Sequence, residues 1–193
     1  MARPSVKAER TEEILDAFER CVARFGVEGT SLERIAEESG LRRSLLRYYI
    51  GNRDELVEAL TDRFVAKAES LTQEMINDLP EEGRSIAMVD AFFEPSRTDD
   101  STILVADALI SCSAIYPEVK KKLKGWYDNF VQKACDIIQA DYPSVSSDRC
   151  FMVAVAIIGI YFNADAMDTL ELSGRYREAA IESAKLLLST LED

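Results

Sequence analysis

The sequence contains no histidine. That removes imidazole acid–base catalysis and most zinc chemistry. Its four cysteines, Cys21, Cys112, Cys135 and Cys150, form no CxxC pair and match no zinc-ligand spacing. Each lies among apolar neighbours in a helical pattern, which fits small buried core residues, with a thiol redox sensor as the alternative. Five Pro, eight Gly and no long polar tract argue against a disordered chain. No basic segment runs into an apolar core at the N-terminus, so no secretory leader is read. The longest nearly uncharged apolar stretch, 150–164, is shorter than the roughly 20 residues that cross a bilayer, and reads as a buried helix. A soluble cytoplasmic protein with no membrane partner is expected. No phosphate-binding glycine loop, nucleophile elbow, metal spacing or paired-carboxylate motif is present. The expectation is a non-enzyme with no metal and no cofactor.

What the chain has is apolar mass, 47% of residues, and a net charge of -12 that is unevenly spread. Residues 1–56 hold 10 Lys/Arg against 11 Asp/Glu, and the remainder 13 against 24. Segment 39–53 carries four arginines and no acid. The acidity therefore belongs to the larger C-terminal part, and one short segment is locally basic.

The periodicity is helical throughout. Ile14, Leu15, Phe18, Cys21, Val22 and Phe25 recur on one face of a helix that Gly26 ends. Thr30 and Glu33 have the spacing of a capping box for a second helix, which stops at Gly40. A third runs over 43–50. Asn52 and Glu55 cap a long fourth with a stripe of Leu56, Leu60, Phe64, Ala68, Leu71 and Met75. Pro80, Pro95, Pro117 and Pro143 then divide the chain into helices over 81–93, 102–115, 117–141 and 147–172, and Gly174 sets off a last one over 175–191. The expected fold is all-α, with nine helices and no strand, divided into a helix-turn-helix domain over 1–55 and a larger helical domain over 56–193.

The second and third helices have the pattern of a helix-turn-helix. Ile35 followed by Ala36 gives an apolar and then a small residue where a partner helix crosses. Gly40 supplies a turn residue tolerant of positive φ, Leu41 tucks inward, and Leu46 and Ile50 anchor the inner face of the third helix. Arg43 and Arg47 then fall one turn apart outside, with Arg42, Ser44, Tyr48 and Tyr49 around them. Guanidinium groups pair with guanine edges or grip phosphates, and hydroxyls donate to phosphate oxygens. A solvated basic face is the plainer alternative, but such faces usually mix both charges. The pattern points to double-stranded DNA.

Gly29-Thr30-Ser31-Leu32-Glu33-Arg34-Ile35-Ala36-Glu37-Glu38-Ser39-Gly40-Leu41, then Leu46, Tyr48, Tyr49 and Ile50, then Asn52-Arg53-Asp54-Glu55-Leu56, together resemble the TetR (tetracycline-repressor-like) family of transcriptional regulators. The resemblance implies a nine-helix TetR-like fold and DNA contacts at Thr30, Arg42, Arg43, Ser44, Leu45, Arg47, Tyr48, Tyr49 and Arg53. Arg53 stands where the family usually has lysine, and is expected to hold a phosphate at a helix N-terminus. The chain departs from the pattern at Arg42, in place of a small hydroxyl cap, at Arg47, in place of a tyrosine, and at Leu45, in place of a polar residue. Leu45 is suited to a thymine methyl. The resemblance also implies a repressor released from a palindromic operator by a small-molecule effector. The alternatives are a regulator that senses oxidation through cysteine and a helical adaptor that has lost DNA binding.

The C-terminal part independently supports a second copy, with a wholly intramolecular core as the alternative. The stretch 151–166 is apolar nearly all round, with small residues for close helix approach. A homodimer built on the last two helices is expected to bury Ala156, Gly159, Ile160, Ala180, Ala184, Leu187 and Leu191 in a four-helix bundle. For the effector, Met88, Phe92, Leu109, Trp126, Tyr127, Phe130 and Phe162 are candidate apolar lining, with Asp107 and Asp165 as polar contacts.

Overall fold

The computed structural model describes residues 6–94, 100–168, 170–172 and 174–192. These hold nine helices and no strand: α1 Val6–Gly29, α2 Leu32–Ser39, α3 Arg43–Ile50, α4 Arg53–Asp78, α5 Arg84–Phe92, α6 Asp100–Cys112, α7 Pro117–Asp141, α8 Ser147–Asp168 and α9 Gly174–Ser189. The all-α class and the helix order are those the sequence predicts. The break expected at Gly26 appears inside α1, where this residue leaves helical geometry (φ 69°, ψ 171°). α5 starts later than expected because Gly83, in the left-handed region at φ 64°, precedes its first turn. α6 stops at Cys112, and a turn through Ile115 and Tyr116 leads to Pro117. The residue before a proline is disfavoured in the helical region. The predicted stop at Pro95 lies outside the described residues.

The chain gathers into two compact units: Met1–Lys67 with Asp99–Lys124, and Ala68–Thr98 with Gly125–Asp193. The division of contacts falls inside α4 and inside α7, not at residues 55 and 56. α6 joins the N-terminal helices because it packs along α1.

In the first unit Ile14, Ala17, Phe18, Val22, Ile35, Leu46, Val57, Leu60 and Leu109 are buried. Removing each large side chain from water is worth about 1.5–3 kcal/mol. Polar pairs staple the rim. Arg63 on α4 pairs with Asp16 and reaches Glu12 at 3.6 Å and Glu19 at 3.3 Å on α1. Lys122 on α7 meets Asp62 at 2.7 Å and Glu58 at 3.7 Å on α4.

The core of the second unit includes Met75, Met88, Val89, Phe92, Ile138, Ala154, Ile157, Ile158, Ala184 and Leu188. Gly83 gives α5 no side-chain cap. Asp141 on α7 acts in its place, accepting from Ser85 N at 2.7 Å and Ser85 Oγ at 2.6 Å. At the other end Arg177 on α9 donates to the Phe93 carbonyl through Nε at 3.2 Å and Nη2 at 3.1 Å. By length and composition alone, Ser147–Met167 in α8 would suffice to cross a membrane, so the bound drawn from 150–164 is too short. In the fold α8 packs against α9, and it is not wholly buried: Phe151 and Met152 are exposed.

Candidate functional site

α2 begins one residue later than its expected cap. Ser31, not Thr30, is the N-cap, and its hydroxyl accepts from the Arg34 amide at 3.3 Å. Thr30 is buried, and its Oγ1 donates to the Gly26 carbonyl at 2.8 Å. That bond to the carbonyl four residues earlier occupies the hydroxyl expected to cap α2. Thr30 therefore closes the α1–α2 turn and offers no side chain to DNA. Glu33, in the first turn of α2, also pairs with Arg43 across the α2–α3 gap. Its carboxyl is held below the usual range, first by its own backbone amide, then by Ser31 and Arg43.

Gly40 ends α2 in the left-handed region (φ 68°) and leads into α3. Arg42 takes the N-cap place of α3 without a side-chain cap bond. Leu46 faces the core and Ile50 is half-buried. On the opposite side Arg42, Arg43, Ser44, Leu45, Arg47 and Tyr48 are exposed, and Tyr49 is half-buried. Tyr48 and Tyr49 meet edge to face, with ring centroids 5.0 Å apart. Seven of the nine predicted DNA-contacting residues therefore share one short helix start and its outer face. The segment is basic, but the face is not free of acid, because Glu33 reaches Arg43 from α2.

The end of α3 and the start of α4 form one device. Gly51 turns at φ 92° and donates to the Arg47 carbonyl. Asn52 Oδ1 accepts from the Glu55 amide at 3.0 Å, while the Asn52 amide donates to Glu55 Oε2 at 2.7 Å. This is the reciprocal cap the sequence predicts. Arg53 departs from expectation. Its Nη1 donates to the Thr30 carbonyl at 2.6 Å, its Nη2 to the Val27 carbonyl at 2.5 Å and its Nε to the Tyr116 hydroxyl at 3.2 Å. It is committed to the end of α1, whose carbonyls attract a cation.

Two other features were missed. Arg24 and Arg34 lie over the ring of Phe25, at 5.1 Å and 4.3 Å from its centroid, with Phe25 itself exposed. Arg34 also donates to the Gly29 carbonyl. The arginine spacing on two helices was visible, but their meeting on one ring depends on the helix crossing. Tyr116 carries no local signal, since its partners are 63 and 88 positions away.

The ligand candidates are divided. Phe92, Trp126, Tyr127, Phe130 and Phe162 come together in the second unit with Phe93 and Tyr161, at centroid separations from 5.1 Å (Phe92–Tyr161) to 6.3 Å (Trp126–Phe130). Met88 is fully buried beside Phe92, and the gap there holds no room for a water. Asp165 is buried, 3.9 Å from Arg177 Nη2. Leu109 and Asp107 fall instead on α6 in the first unit, where Leu109 is core and Asp107 is exposed. Asp107 still has its carboxyl raised by partial burial.

A cleft of about 630 Å³ lies on α8 and α9, bordered by Ala156, Gly159, Ile160 and Ala180 with Asn163 and Ser183. Four of the seven predicted dimer residues are here. Leu187 is half-buried, whereas Ala184 and Leu191 are buried in the chain's own core and are no part of an exposed face. Ala180 and Ala184 sit four apart on α9, yet the first is half-buried and the second fully buried.

Residues 14–60 match the family described as bacterial regulatory proteins, tetR family. No curated protein matches the chain. Among solved structures the fold is similar to that of a designated transcriptional regulator from Pseudomonas aeruginosa PAO1, at TM-score 0.81 and 15% identity over 96% of this chain and 91% of that one. It is similar to a regulator from Saccharomonospora viridis in complex with choline, at TM-score 0.79 and 14% identity over 94% and 96%. It is also similar to a TetR transcription regulator from Haloarcula marismortui ATCC 43049, at TM-score 0.74 and 18% identity over 95% and 98%. At these identities the likeness is one of fold.

Proposed function

We propose that this protein, whose residues 14–60 match the family described as bacterial regulatory proteins, tetR family, is a homodimeric repressor whose palindromic operator is released by a small molecule. The coarse function, DNA-binding regulation of transcription rather than catalysis, is that of the family. The finer reading rests above all on α3, whose outer face presents Arg42, Arg43, Ser44, Leu45, Arg47 and Tyr48. Arg43 and Arg47 read base edges, while Tyr48 and Tyr49 hold the backbone. The functional division is at residues 55 and 56, with DNA contact before it and dimerisation and effector binding after. The place of action is the cytoplasm.

Dimerisation is supported by the exposed stripe Met152, Gly159, Asn163 and Met167 on α8, with half-buried Ala156 among them, beside Tyr176, Ala179, Ser183 and Leu186 on α9. Two copies of each helix close a four-helix bundle over it and set two copies of α3 into successive major grooves. For the effector, the rings around Phe130 and Phe162 offer apolar faces on which a small, partly apolar molecule or an ammonium group lies favourably. The choline complex of the Saccharomonospora viridis protein supports a ligand of that size.

The test begins with selection of duplexes bound from a random pool. Retention of a palindrome with half-sites about one helical turn apart supports the reading, and retention of no duplex overturns it. Effector release requires reciprocity. A ligand that lowers operator affinity about 5- to 150-fold must itself bind the operator complex more weakly by the same factor. Equal ligand affinity for free and DNA-bound protein would sink that part.

A further inference from the structure

The corner between α6 and α7 reaches the α1–α2 turn through Tyr116. This residue closes the turn before Pro117, its ring half-buried. Its hydroxyl accepts from Arg53 Nε at 3.2 Å and donates to Glu28 Oε1 at 3.2 Å. The same guanidinium holds the Val27 and Thr30 carbonyls at 2.5 Å and 2.6 Å. Those carbonyls lie in the turn that leads into Ser31, the cap of α2. One planar group on the first residue of α4 thus joins three segments far apart in sequence. A planar fork with donors in fixed directions spans such a set, and a single ammonium does not.

Arg53 is only about a third exposed, and three of its N–H groups are spent inside the protein. A residue meant chiefly for phosphate would leave that fork to solvent. Glu28, more exposed, waits 3.8 Å from Arg53 Nη2. A carboxylate is the stronger acceptor. With the Tyr116 hydroxyl in place, Glu28 is occupied by that O–H. Without it, Glu28 competes with the two carbonyls for the guanidinium.

We propose that Tyr116 is a positioning residue for DNA binding: through Arg53 it holds the α1–α2 turn, and thereby the seat of α2 and α3, at the start of α4. The proposal rests on α3 being the DNA-contacting helix. It reassigns Arg53 from gripping phosphate to holding the turn, and makes a residue outside the helix-turn-helix part of its support.

The experiment uses the full chain and the duplex selected by it, with affinity measured at several salt concentrations for wild type, Y116F, R53K, R53A and Y116F/E28Q. Y116F keeps the ring and its packing. Y116F and R53K should each bind about 3- to 10-fold more weakly, the scale of one or two hydrogen bonds, with base preference and salt slope unchanged. Removing the competing carboxylate in Y116F/E28Q should restore most of the loss, which general loosening of the fold would not do. Wild-type affinity in Y116F overturns the proposal. So does full affinity in R53K together with a salt slope lowered by about one in R53A, the mark of a lost phosphate contact. A wild-type chain that selects no duplex overturns the DNA-binding reading as well, whereas a wild type that binds beside an unaltered Y116F overturns this inference alone.

Discussion

At Gly51 the backbone passes from α3 to α4 with φ 92°, and a Cβ built there would lie 1.7 Å from Glu55 Oε2. Alanine must therefore strain the backbone and push Glu55 off the Asn52 amide. The two effects together cost about 2 kcal/mol. Gly51→Ala should lower the thermal midpoint by several degrees, and an unchanged midpoint would show that the turn relaxes freely. At this scale, sequence reading succeeds where partners are near in the chain. Asn52 and Glu55 are three apart, and their reciprocal cap is as expected. It fails by one residue at Thr30 and Ser31, because both are competent caps and Thr30 spends its hydroxyl on the Gly26 carbonyl instead. It fails entirely at Tyr116, whose partners the fold brings from a distance.

The proposed recognition element is α3, a helix of 8 residues whose inner anchor Leu46 is buried and whose outer arginines are exposed. Arg43→Ala or Arg47→Ala should cost about 1–3 kcal/mol of operator binding and relax preference at particular base pairs, as read by repeating the duplex selection with each variant. Uniform weakening with preference intact would make them phosphate contacts. Arg43 also exchanges its Glu33 partner for the base, so Arg43→Ala should show the smaller net loss of the two. On α8 and α9 the structure separates positions that periodicity alone pools. Gly159 is exposed and has nothing within 4 Å of an added Cβ, so Gly159→Arg should leave the protomer folded but shift light scattering toward 21.6 kDa. Ala184 is fully buried, so Ala184→Arg should unfold the chain instead. A folded dimer from both variants would place the interface elsewhere. The nine helices of the described residues were legible because each carries its own punctuation. The inward placing of Ala184 and Leu191 was not, since apolar residues on opposite sides of an apolar segment look alike.

Across the whole molecule, all four thiols are buried, and burial is the first cause raising each of them above its ordinary 9.0. The chain also has no imidazole. Thiolate is the form that reacts with peroxide, so the burial of all four thiols weighs against their sensing oxidation. It also makes the molecule nearly deaf to protons near neutrality. A group whose folded pKa is raised contributes stability below its unfolded value and loses it as pH rises toward the folded one. For these thiols that window opens only near pH 9 and above. Asp107, raised from 3.8 by partial burial, acts with the same sign but on the acid side. Between about pH 6.5 and 8, then, few protons are exchanged on unfolding or on binding DNA. Both the thermal midpoint and operator affinity should be flat there at constant ionic strength, with stability declining above pH 9. A slope of half a proton or more at pH 7 would reveal a titrating group brought in by the partner. A ligand-responsive regulator of the kind proposed, built in this way, would report its ligand without confusing it with a drift in the acidity of its surroundings.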